Sequence, residues 1–313
     1  MTDLSAADKG THFARTGMPQ GAMASMLAAL ALAETDPVRG WTEMETLLEN
    51  QWPDGMVPHL IYHQPSEAFP ADSLWVTGRP VTTSGLTVPP LAGMVLLRLH
   101  RAAPDPRAAA LVAAVDRWHG WFGTHRDPEG EGLAAILHPW ESARSDATDW
   151  AEPFAQVPTE GVAQYLPEGA GPDQARAVWL IERFRSLGWE TAELHNGSPF
   201  CVVDPGLNAV LIRSCEDLAT VAEELGDAET AASNRERAVR MRAALENLAE
   251  DGRYLPLDRI SGRLIGTASA GTVLPKIAGL PVTAEALGPV EPWVAFLLNG
   301  GPALPAATSA LTG

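Results

Sequence analysis

"DPVRGWTEMETLLENQ", residues 36–51, decides the fold class. Asp36 before Pro37 is a helix-start signal, because a short acidic side chain can accept the open N–H groups and the fixed proline φ suits the first helical position. Beyond it, Trp41, Met44, Leu47 and Leu48 recur at helical spacing with polar residues between them, which predicts a helix with one dry and one wet face. The preceding stretch, residues 20–33, is apolar nearly all round and predicts a helix buried on every side. An inner helix followed closely by an outer one is the unit of the fold.

The Asp-Pro signal recurs at Asp105-Pro106 and Asp204-Pro205, each time before a long helical pattern. About five helical hairpins are predicted, with inner members at 20–33, 88–101, a weak 158–166, 205–225 and 270–279. The outer members are 37–50, 106–124, 172–187, 228–249 and 283–298. Links within a pair are short, whereas long loops at 51–87, 125–157 and 188–203 join the pairs. That alternation describes a ring of hairpins whose long loops gather at one end. "RYLPLDRISGRLIG", residues 253–266, predicts a small β-hairpin turning at Ser261-Gly262. The fold class is therefore all-α, with residues 1–17 as an N-terminal tail and 18–313 as a single domain.

With 39 acidic against 22 basic residues the net charge is -17, a surface that repels phosphate backbones and anionic lipid. Nucleic acid and membrane partners are not expected. No apolar run reaches the roughly 20 residues of a membrane span, and no secretory signal is legible at the N-terminus. A cytoplasmic protein is expected. Cys201 and Cys215 stand outside any metal or redox spacing and read as inert core residues. His59 and His63 are four apart, but no third ligand accompanies them, so neither a metal nor another cofactor is expected.

Five stretches in order carry a family resemblance: "LLENQWPDGMVPHLIYH" (47–63), "TSGLTVPPLAG" (83–93), "HPWESARSDATDW" (138–150), residues 204–227 and residues 237–266. Over about residues 18–305 the chain resembles the bacterial mannosylglycerate and glucosylglycerate hydrolases related to glycoside hydrolase family 63. The resemblance implies an (α/α)6 toroid, here incomplete because only about five hairpins are predicted. It also implies hydrolysis of an α-glycosidic bond with inversion. Two carboxyl groups about 6.5–9.5 Å apart do this, one protonating the leaving oxygen and the other activating water.

The chain departs from that pattern at several points. The family's His-Pro-Trp-Glu-Ser-Gly-x-Asp-Asn, laid over residues 138–146, puts Ser145 at the acid and Asp146 on the asparagine. A serine hydroxyl is too weak an acid to protonate a leaving alcohol, so Asp146 is the candidate catalytic residue if the loop slips by one position. The resemblance puts the base beyond a Trp-rich stretch near the C-terminus, where this chain ends. Glu285, Glu291 or another chain are the substitutes to consider. Pro19 and Gln20 replace a sugar-holding Trp-Asp pair, and Val88 replaces a glutamine.

The candidate substrate-binding residues are His59 and Tyr62 of "HLIYH", Trp75 of the lid-like "FPADSLW" (69–75), and Trp140, Glu141 and Arg144. Tryptophan covers the C–H face of a sugar while charged groups take its hydroxyls. The opposing reading makes Trp140 and Trp150 core plugs and pairs Arg144 with Glu141 or Asp149 at the surface. Function stays open between a small-glycoside hydrolase, a descendant that binds a glycoside or polyol without hydrolysing it, and a truncated inactive chain. A missing last hairpin would expose the apolar flank of residues 20–33 or 283–298, so a homodimer or a partner chain is expected to cover it.

Overall fold

The computed structural model describes residues 18–144, 149–267, 269–283 and 290–299. The tail at 1–17, Ser145, Asp146 and Glu285 lie outside the described residues. Among those described, nine helices longer than one turn run in chain order: α1 Ala22–Thr35, α2 Pro37–Leu48, α3 Ala92–Ala102, α4 Ala108–His125, α5 Pro172–Ser186, α6 Thr191–Gly197, α7 Pro205–Glu224, α8 Ala228–Glu246 and α9 Pro292–Leu298. Two of the three Asp-Pro signals start helices, whereas α4 begins at Ala108, past Asp105-Pro106, with no side-chain cap. Asp36 accepts the Arg39 amide at α2, and Asp204 accepts the Gly206 amide at 2.8 Å at α7.

The hairpins α1/α2 and α7/α8 pack as antiparallel pairs, and α3 lies between α1 and α7. α7 is the most enclosed helix, buried along nearly its whole length from Pro205 to Ala222. Its contact with α3 is close enough that a Cβ on Gly93 would stand 2.0 Å from the Ser214 carbonyl oxygen, so only glycine fits there. Behind it, His119 of α4 has Nδ1 2.9 Å from Asn234 Oδ1 on α8 and Nε2 2.9 Å from Ser214 Oγ on α7, which ties three helices through one ring. A short helical run at 270–278 packs against α7 in turn.

Two expectations are corrected. The predicted third inner helix at 158–166 is not formed, and only Ala163–Tyr165 makes a 3-10 turn. Pro158, Pro167 and the left-handed Gly161 and Gly169 interrupt any continuous backbone ladder there. Its would-be outer partner α5 instead supports the loops, with the Ala177 carbonyl 3.0 Å from His138 Nε2. The second correction concerns α1, which is buried on one stripe, Ala22, Ser25, Met26, Ala29 and Ala33, while Met23, Leu27 and Leu30 on its other flank are half-buried. An all-apolar composition selects no face, so it does not say how many neighbours the helix has.

Strand is confined to short pieces among the described residues. β1 (Gln20–Gly21), β2 (Leu60–Tyr62) and β3 (Thr82–Thr83) form one antiparallel sheet. β4 (Ala135–Ile136), β5 (Val202–Val203), β8 (Leu257–Asp258) and β9 (Arg263–Leu264) form a second, and β6 (Ala249–Glu250) pairs with β7 (Arg253–Tyr254). The β8–β9 hairpin is the one read from residues 253–266, with Leu257 opposite Leu264. The larger sheets staple the long loops to each other. Those loops meet on one rim: Phe69 lies against Trp140, Trp75 against Trp189, and the Trp189 indole donates to the Val76 carbonyl at 3.0 Å. Among the described residues no helix is long and apolar enough to cross a membrane.

Candidate active site

The loop at 138–150 is held from beneath by Glu141. His138 and Ala143 flank a 3-10 turn over Pro139–Ser142, which carries Glu141, whose side chain is wholly buried. Its Oε1 accepts from the Arg126 guanidinium at 2.6 Å and its Oε2 from the Leu137 amide at 2.9 Å. Both oxygens are thus occupied within the protein, and Glu141 acts as an anchor. The turn ends at Ala143, which takes the left-handed backbone (φ 52°) at the position where the family pattern carries glycine. Holding a Cβ there costs about 1 kcal/mol.

Arg144 points the same way. Its guanidinium donates to Asp149 Oδ2 at 2.8 Å and to Asp204 Oδ2 at 3.0 Å, and stacks 4.8 Å over the Trp150 ring. Burial works against its charge, but Asp204 and then Asp149 hold the proton on more firmly than in water. The surface pairing considered for this residue is corrected on location: Asp149 is its partner, and both are buried. Ser269, which donates to Asp149, and Asp204, read as a helix cap only, complete the cluster. Asp149 Oδ1 is buried with no hydrogen-bond partner among the described residues. Gly271 passes so near that a Cβ would lie 2.6 Å from the Arg144 guanidinium.

Tyr62 and Trp75 form the internal brace of the 63–75 loop. The Tyr62 hydroxyl donates to the Pro70 carbonyl at 2.5 Å and accepts from the Trp75 indole at 3.0 Å, and burial pushes its phenol above the usual range. The two candidates with polar or ring surface left open are His59 and Trp140. The half-buried Trp140 ring has His138 at 4.8 Å, Phe69 at 6.0 Å and His59 at 6.1 Å. His59 Nδ1 is buried without a partner among the described residues. Burial, with His138 beside it and only Glu141 opposing, lowers its pKa to about 4, so the ring is neutral at pH 7. His63, four residues on, instead contacts Gln20 Oε1 at 2.7 Å through Nε2. No group of three or more potential metal ligands occurs among the described residues. Cys201 and Cys215 are buried, with thiols pushed up to about 11 and about 12 by burial.

Residues 19–303 match the mannosylglycerate hydrolase MGH1-like glycoside hydrolase domain. The chain belongs to this family. Mannosylglycerate hydrolase MGH1 of Selaginella moellendorffii is 34% identical over 275 residues, covering 82% of this chain and 56% of the relative. Two crystal structures of the family 63 mannosylglycerate hydrolase from Thermus thermophilus are also similar. The one with Tris and D-glycerate superposes with a TM-score of 0.77 at 32% identity, and the one with glucose with 0.73 at 31%, each covering 90% of this chain and 70% of the other. The chain thus spans little more than half of its plant relative. The mostly helical architecture is that of the family's toroid. Arg126 belongs to no motif and Asp149 reads from the sequence only as a surface partner, so the role of each emerges only from what it touches.

Proposed function

We propose that this protein binds a small α-glycoside of the mannosylglycerate or glucosylglycerate class, or a related polyol, on the loop rim, and that it hydrolyses such compounds near the background rate. The carrying observation is the half-buried Trp140 ring bracketed by His59 and Phe69, beside the unpartnered Nδ1 of a neutral histidine. An apolar ring face with a nearby hydrogen-bonding group is the composition that a sugar needs. The relative from Thermus thermophilus holds glucose and D-glycerate, which supports the ligand class. Near-background hydrolysis follows from Ser145 at the acid position, since Asp146 would need a one-residue slip to serve. A descendant recruited to binding alone is the same site without chemistry.

The test combines titration calorimetry with hydrolysis assays on mannosylglycerate, glucosylglycerate and an aryl α-glucoside. Wild type, Asp146→Asn and Ser145→Asp are compared, with His59→Ala as the binding control. Binding that His59→Ala weakens, together with background turnover in wild type, is the expected result. Robust wild-type turnover abolished by Asp146→Asn overturns the reading and makes Asp146 a working acid.

A further inference from the structure

The side chain of Arg79 stands apart from the other guanidinium groups of the rim. Arg126 lies on Glu141 and Arg144 on Asp149 and Asp204. Arg79 makes no hydrogen bond or ion pair with any described residue, in a chain that carries 39 acidic residues. Its Nε is buried and unpartnered. The guanidinium is nevertheless fixed, because it lies 4.2 Å over the Trp52 ring and the Trp52 indole is itself tied to Thr83 Oγ1 at 3.0 Å. A cation held over an aromatic face can still turn its terminal N–H groups toward an anion.

Arg79 borders an open recess of about 330 Å³ between the Asp72–Leu74 turn and the strand at Thr82. Asp72, Ser73, Thr77 and Thr82 line it beside Arg79. An arginine among hydroxyl-bearing residues suits a carboxylate, while a lining aspartate can only accept a hydrogen bond from a ligand hydroxyl and repels a second negative charge. We propose that this recess is a binding site for a small hydroxy-carboxylate anion, with Arg79 taking the carboxylate and Asp72 a ligand hydroxyl. The volume admits a molecule of sugar-acid size. Trp75 forms part of the wall and also donates to Tyr62, so an occupied recess is linked by one indole to the loop that lies against Trp140.

The experiment titrates the full chain with sodium D-glycerate, propionate and inorganic phosphate at constant ionic strength, followed by calorimetry and tryptophan fluorescence. Arg79→Gln, Asp72→Asn and His59→Ala are compared, with unchanged circular dichroism and melting midpoint as the folding control. Arg79→Gln is expected to weaken glycerate by about tenfold or more, the worth of a lost charge-assisted pair, and His59→Ala to leave this binding intact. Asp72→Asn should improve phosphate relative to glycerate. Glycerate affinity unchanged in Arg79→Gln overturns the site, and its loss in His59→Ala then assigns the ligand to the Trp140 cluster. Propionate binding as tightly as glycerate overturns the role given to Asp72.

Discussion

Replacing Arg144 by methionine removes the cation from between two buried carboxylates while keeping most of the side-chain volume. The guanidinium lies 2.8 Å from Asp149 and 3.0 Å from Asp204, with all three side chains at most 2% exposed. With an effective dielectric near 20, each pair with charge centres about 4 Å apart attracts by about 4 kcal/mol. Desolvation of the three charges offsets much of that sum, and removing one partner of such a buried pair costs about 3–5 kcal/mol. We expect Arg144→Met to lose that amount at pH 7. Equilibrium urea denaturation at pH 7, with the slope checked for constancy, measures the loss. The triple variant Arg144→Met/Asp149→Asn/Asp204→Asn should recover much of the loss, since asparagine caps a helix nearly as well as aspartate. A deficit below about 1 kcal/mol at pH 7 would refute a buried, charged cluster.

Ala143→Gly should stabilise the protein by about 0.5–1 kcal/mol by relieving the left-handed alanine; a lower urea midpoint would show that the backbone there is not strained. His119 and His138 are wholly buried, and burial lowers both from 6.5 to about 3. The stability tied to their neutral forms is present above pH 6.5 and is lost as the pH falls from 6.5 toward 3, by up to about 2 kcal/mol each at pH 5. His138→Gln should flatten that acid limb, and an identical acid profile in the variant would count against it. The half-buried Met23, Leu27 and Leu30 flank of α1 leads us to expect a homodimer, which light scattering across a dilution series would contradict by returning the monomer mass throughout.

Much of the architecture is written locally. Asp36-Pro37 and Asp204-Pro205 start helices because a cap and a fixed φ act within one turn, and the spacing of Trp41, Met44 and Leu47 selects the buried face of α2 without help from elsewhere. The glycine-proline punctuation that breaks 158–166 is legible too, and it prevails over the regular pairing that predicts a helix there. The motif at 138–150 identifies a loop at the rim. What the described side chains of that loop do is decided by tertiary contacts. Glu141 is an anchor because Arg126 comes back under the turn, and Arg144 is internal because Asp204, 60 residues away, and Ser269, 125 residues away, close around it. Arg79 is left free because no described carboxylate is brought within ion-pair distance of it. Sequence carries the charge of each group, but the energy of a charge depends on which partners and how much water surround it, and both are set only when distant loops meet on one rim.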